Sequence, residues 1–181
     1  MKNNNKKSNT FGIVAMTLII AFTIGGIYVA GKGSVSPADG ATGSGGGEAV
    51  GSFDELLNKQ VPGFSLSDKS GNVYTPENLK GKKVVLFFNE GIMCYPACWN
   101  QVVALSTDPR LNDPDTVSLS VVIDSKAQWD NAMKKMPELS RAKLVFDFDR
   151  SISSKFGMLT VPSSMHYGSF PGHTYLVIDR E

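Results

Sequence analysis

Neither sign of charge is in excess in this chain. Its 181 residues carry 18 Lys and Arg against 17 Asp and Glu, a formal net charge of +1. A surface built to hold nucleic acid needs a clear basic surplus, so that class is excluded. Internal repeats are absent, and apolar content is ordinary for a globular core. Cysteine and histidine are scarce, at two residues each. Any thiol chemistry therefore belongs to Cys94 and Cys98, and any imidazole chemistry to His166 and His173.

Charge is wholly missing from Phe11 to Gly31, where Leu, Ile, Val, Ala and Phe fill most positions. At about 1.5 Å per residue this run reaches about 30 Å, the thickness of a hydrocarbon core. Lys2, Lys6 and Lys7 precede it, and Lys32 alone follows closely. Positive residues stay on the cytoplasmic side, which predicts an N-terminus inside and the remainder on the outer face of the cytoplasmic membrane. A cleaved signal peptide is the competing reading. The run is long for its apolar region, and Tyr28 and Ala30 make a poor small-x-small cleavage site. Residues 1–10 then form a cytoplasmic tail and 11–31 a single transmembrane anchor. Residues 32–51, rich in Gly, Ser, Ala and Pro, behave as a flexible linker.

From residue 52 to 181 the pattern is that of one α/β domain. Short strands at 64–66 and 72–74 flank the turn Asp68-Lys69-Ser70-Gly71. Lys83–Asn89 has the continuous apolar centre of a strand buried on both faces. Pro96–Leu105 suits a helix with Pro96 in its first turn. Thr116–Asp124 is a second buried strand. Ser125 caps a helix that runs to Lys135 and stops at Pro137. Leu144–Phe148 is a third such strand, Ser151–Phe156 a short helix closed by Gly157, and His173–Asp179 a fourth long strand. Strands alternating with helices imply a sheet with a largely parallel centre.

Cys94 and Cys98 lie where the buried strand hands over to a helix, in Asn89-Glu90-Gly91-Ile92-Met93-Cys94-Tyr95-Pro96-Ala97-Cys98-Trp99. A thiol at a helix N-terminus is biased toward the nucleophilic thiolate. A second thiol one turn away can resolve a mixed disulfide by intramolecular attack. Two blander readings stand beside this one. The cysteines could be buried packing residues. They could also form a purely structural disulfide, although so small a loop contributes little by loop closure. Trp99 reads as packing and His166 as a loop residue; Glu90 is a candidate proton acceptor near the thiols, beside the plainer reading of an exposed loop carboxylate.

Val61-Pro62-Gly63-Phe64-Ser65-Leu66, Leu79-Lys80-Gly81-Lys82-Lys83-Val84-Val85-Leu86-Phe87-Phe88 and Tyr175-Leu176-Val177-Ile178-Asp179 carry a resemblance. They resemble the redoxin branch of the thioredoxin-like superfamily, the group of alkyl hydroperoxide reductase and thiol-specific antioxidant proteins. The resemblance implies a thioredoxin-like fold with a central mixed sheet and a thiol–disulfide oxidoreductase. By analogy with thioredoxins, Cys94 attacks and Cys98 resolves. It also implies that the loop before the last strand, with Pro171 and His173, faces the cysteines, so that these two with Tyr95 and Pro96 tune the thiol or receive substrate. His173 has a plainer reading, in which it does no more than hydrogen-bond within its loop. That loop usually carries a cis-proline; here Pro171 is displaced from its place. Thiol or disulfide proteins, or peroxide, are the implied substrates, with no cofactor.

The spacing departs from the family pattern. Thioredoxins have Cys-x-x-Cys, whereas this chain has Cys-x-x-x-Cys. A peroxiredoxin would attack peroxide with Cys98, but Tyr95 stands where that pattern needs Thr or Ser. No Pro lies between Asn89 and Met93, and His173 stands near the place of the expected Arg. The wider spacing with a later His is similar to the copper chaperones of cytochrome oxidase assembly, which would make Cys94, Cys98 and His173 copper ligands. The fold so implied also continues past His173–Asp179 with a further strand and helix. On that ground the sequence as it stands is expected to leave one sheet edge and one face uncovered.

The topology has a direct check. Protease added to spheroplasts expressing the full chain should remove the domain while a cytoplasmic control protein survives. Protection of both would reverse the orientation.

Overall fold

The computed structural model describes residues 51–162 and 164–180. The expected tail, anchor and nearly all of the linker, residues 1–50, lie outside them. Among the described residues no helix is long and apolar enough to cross a membrane.

Six strands form one mixed sheet: β1 (Leu66–Asp68), β2 (Val73–Tyr74), β3 (Lys83–Phe88), β4 (Thr116–Val122), β5 (Leu144–Phe146) and β6 (Thr174–Ile178). Their order is β2-β1-β5-β4-β3-β6. β3, β4 and β5 run parallel at the centre, while β1, β2 and β6 pair antiparallel at the flanks. The expected elements are present with shifted ends. The first strand lies two residues later than the apolar residues suggested and the second starts one residue later, because Asp68 turns the hairpin by accepting the Asn72 N–H at 2.9 Å. The last two central strands stop earlier, at Val122 and Phe146.

Alternation along β3 divides the core in two. Val84, Leu86 and Phe88 join Leu119, Val121 and Val145 on one face, with Phe64, Phe156 and Met158 over them. Phe87 points to the other face, among Trp99, Val102, Leu105, Trp129 and Leu139. That second face is covered by α2 (Ala97–Thr107) and α3 (Lys126–Lys135). α2 buries Cys98, Trp99, Val102 and Leu105, one stripe of a 3.6-residue period. α3 begins with a capping box in which Ser125 accepts the Gln128 N–H and Gln128 accepts the Ser125 N–H. α1 (Pro76–Leu79) is a single turn capped in the same way by Thr75 and Asn78. Along β6, among the described residues, a groove of about 1040 Å³ is lined by Leu56, Val61, Phe64, Leu79, Leu176 and Ile178.

A buried carboxylate ends the strand that sequence carried on to Phe148. Asp147 is 3% exposed and turns inward. It accepts the N–H groups of Ile152 and Ser153 at 3.0 and 2.7 Å and the Ser153 hydroxyl at 2.6 Å. It thereby caps α4 (Ser151–Lys155) from inside the core. Asp147→Ala should lower stability by about 2 kcal/mol, since buried donors lose their acceptor. A denaturation midpoint within error of the parent would show that the cap does not hold this end of the sheet.

Candidate active site

β3 delivers the chain to the carboxyl end of the parallel strands, where α/β sheets place reactive groups. The exit is fixed by Asn89, which is fully buried. Its amide donates to the Val121 carbonyl at 3.2 Å, and its carbonyl accepts the Gly91 N–H at 2.9 Å. Gly91 has φ +72°, and a Cβ there would fall on the Asp124 carboxylate. Only glycine fits both the left-handed backbone and that approach. Asp124 in turn accepts the Ile92 N–H at 2.9 Å, holding the 3₁₀ turn Gly91–Met93 that leads to Cys94.

Cys94 and Cys98 form a disulfide, with Cα atoms 5.4 Å apart. The Cys98 N–H donates to the Cys94 carbonyl at 2.9 Å, so the pair spans one helical turn at the start of α2. The two sulfurs are not equivalent. Cys94 is half-buried, whereas Cys98 is 3% exposed beneath the helix. Pro96 is the N-cap rather than a first-turn residue, and the Tyr95–Pro96 peptide is cis, the only such bond among the described residues. Pro171, in the loop where a cis-proline was looked for, is buried. Tyr95 is exposed and sets its ring edge against Trp99, 4.9 Å between centroids.

His173 reaches the disulfide from across the sheet. It directly precedes β6, whose Thr174 pairs with Phe88 at the end of β3. Its Nε2 lies 3.2 Å from Cys94 Sγ. Cys94, Cys98 and His173 each offer one donor atom, all within 4.8 Å of one another. Two thiolates and an imidazole are soft and borderline donors suited to Cu(I), provided the disulfide is reduced. The group therefore fits the copper set named above.

One functional candidate, His166, escaped the sequence reading, and another, Glu90, was placed there chiefly as a solvated carboxylate. Glu90, expected as an exposed carboxylate, is 2% exposed. Asn89 and Gly91 turn it inward, where Oε1 lies 3.0 Å from His166 Nδ1 and Oε2 3.9 Å from His173 Nε2. His166 does lie in a loop, but it reaches the site through this carboxylate. A charged residue immediately after an apolar strand was the available signal for Glu90. Nothing near His166 in the sequence pointed to the site.

This combination defines the class: a thioredoxin-like α/β fold with a disulfide-bonded cysteine pair at the carboxyl end of its sheet. The chain belongs to the Redoxin family, whose model matches residues 56–181, and it is a thiol-dependent oxidoreductase that carries a Cys94–Cys98 disulfide. Among solved structures it is similar to Enterococcus faecalis AhpC, with a TM-score of 0.56, 16% identity, and coverage of 68% of this chain and 74% of that one. It is also similar to the mitochondrial 2-Cys peroxiredoxin of Plasmodium falciparum, with a TM-score of 0.54, 19% identity, and coverage of 69% and 77%. A proposed protein disulfide isomerase from Bacteroides thetaiotaomicron gives a TM-score of 0.52, 20% identity, and coverage of 68% and 72%. At these identities the likeness is one of fold. No curated protein matches the chain.

Burial holds the Asp124 carboxyl above the ordinary carboxylate range, and the Ile92 N–H offsets this only in part. The native state therefore keeps this proton more tightly than the unfolded chain does. The group's contribution to stability falls as pH rises from the ordinary value of 3.8 through the raised native one. Asp124→Asn retains an acceptor for Ile92 and cannot titrate. Urea midpoints across that window should shift progressively in the variant's favour as pH rises. A difference that does not change with pH would remove Asp124 from the titration.

Proposed function

We propose that the chain is a thiol–disulfide oxidoreductase in which Cys94 attacks and Cys98 resolves. It acts on protein thiols and disulfides at the outer face of the cytoplasmic membrane, held there by residues 11–31. The observation that carries the roles is the asymmetry of the pair. Cys94 is open to a partner and has His173 at 3.2 Å, whereas Cys98 is buried. In the reduced form, the Cys94 thiolate attacks a substrate disulfide. One sulfur–sulfur bond breaks, a Cys94–substrate bond forms, and one substrate thiolate leaves and takes a proton. The Cys98 thiolate then attacks Cys94 Sγ and expels the second substrate thiolate. The chain ends as the Cys94–Cys98 disulfide, and two electrons have passed to the substrate. His173 is placed to take the Cys94 proton before attack. A peroxide reductase with Cys98 attacking is less well supported, because that sulfur is covered.

The donor cluster within 4.8 Å supports a second reading, a copper-binding chaperone using Cys94, Cys98 and His173. Here Cu(I) is cargo, bound by the reduced chain.

One set of variants separates these readings. Cys98→Ser should accumulate a mixed disulfide with a protein substrate, and Cys94→Ser should form none. Adducts on Cys98 alone would exchange the roles. Titration of the reduced chain with Cu(I) should show one-to-one binding, sharply weakened by His173→Ala, if the copper reading holds. An absence of binding would leave the oxidoreductase alone.

A further inference from the structure

Glu90 is a buried acid that the exchange steps do not use. Among the described residues no Lys or Arg reaches it, and its hydrogen-bond partner is a histidine rather than a backbone N–H. A carboxylate taken from water and left unpaired is expensive, so its two histidine neighbours require an explanation.

The connectivity supplies one. Glu90 and Cys94 lie on one limb, the segment leaving β3. His166 and His173 lie on the other, the loop entering β6. The limbs meet at two points: Glu90 with His166 at 3.0 Å, and Cys94 with His173 at 3.2 Å. The second limb is also pinned from behind. The Gly168 N–H donates to the Leu159 carbonyl at 2.7 Å, and the Gly172 N–H to the Met158 carbonyl at 3.1 Å. Gly172 is packed so closely that a Cβ would strike the Val161 side chain. His166 is further oriented by the Phe170 ring, edge-on at 5.3 Å between centroids. These restraints lie behind the imidazole that faces the sulfur, and the Glu90–His166 hydrogen bond ties the loop to the cysteine limb beside the Cys94–His173 contact.

We infer that Glu90 and His166 are positioning residues for the exchange reaction: they clasp the two limbs and so hold His173 against Cys94 once the disulfide has opened. His166 contacts neither sulfur in this arrangement and acts only through the clasp. The inference rests on Cys94 being the attacking thiol.

The test uses the full chain carrying Cys98→Ser, so that attack by Cys94 is read directly as adduct formation with oxidised glutathione. In that step the glutathione disulfide breaks, Cys94 bonds to one half, and the other half leaves as thiolate. His166→Ala should slow adduct formation by about 10- to 100-fold, the scale on which misplacement of a reacting group is felt. His166→Asn keeps a donor near the Nδ1 position and should restore most of the rate. In a His173→Ala background, His166→Ala should add no further loss, because its effect runs through His173. An unchanged rate in His166→Ala would overturn the clasp. So would additive losses in the double variant, or equal impairment of the Ala and Asn variants together with a lowered melting temperature. Failure of the parent Cys98→Ser chain to form any adduct would instead overturn the assignment of Cys94 as attacker.

Discussion

One buried amide governs how the site is assembled. Asn89 ends β3 by bridging to the Val121 carbonyl of β4, and in the same step it starts the turn at Gly91. β3 is hydrogen-bonded on both sides, so its register cannot drift without breaking both ladders. Asn89 converts that rigidity into a direction. The chain leaves the strand with Glu90 turned inward, passes over Asp124 with no room for a side chain at residue 91, and presents Cys94 outward. Loss of the amide would strand a buried carbonyl and a buried N–H, a cost larger than the net worth of the hydrogen bonds themselves.

The same strand sets the electrostatic side of the site. β6 runs antiparallel to β3, so the residue that begins β6 meets the residues that end β3. This pairing brings His173 to Cys94 across 79 positions of sequence. It also places the loop before β6 over Glu90, and with it His166. Division of labour between the sulfurs follows from α2: its first turn buries Cys98 among the apolar side chains that pack on the sheet and leaves Cys94 at the rim. Under the proposed exchange, one sulfur must be accessible and the other must reach it without competing for substrate, and burial separates those two positions.

Much of this was written in local pattern. The continuous apolar run at 84–88 suited a strand buried on both faces, and it is one. Ser125 with Gln128 announced a helix start, and both partners of the capping box are in place. Two cysteines one turn apart at a strand-to-helix junction marked the chemistry, because nearby residues in a helix turn are nearby in space whatever the fold. Strand ends were less legible. Leu144–Phe148 reads as one strand with a single Asp among apolar residues, yet Asp147 leaves the ladder to cap α4, a choice made by a helix that begins four residues ahead.

What sequence could not decide were contacts made across the sheet. Glu90 read as an exposed charge because a carboxylate is ordinarily solvated, and only the inward turn between Asn89 and Gly91 buries it. His166 carried no local mark at all, since its partner lies 76 residues away. The sequence by itself determined the elements, the reactive thiol pair and the family resemblance, for these depend on periodicity and on spacing within a turn or two. The tertiary structure alone decided which thiol is open, which acid is buried and how His166 joins the site. Those properties belong to strand register and loop closure, where residues far apart in the chain must share one small volume.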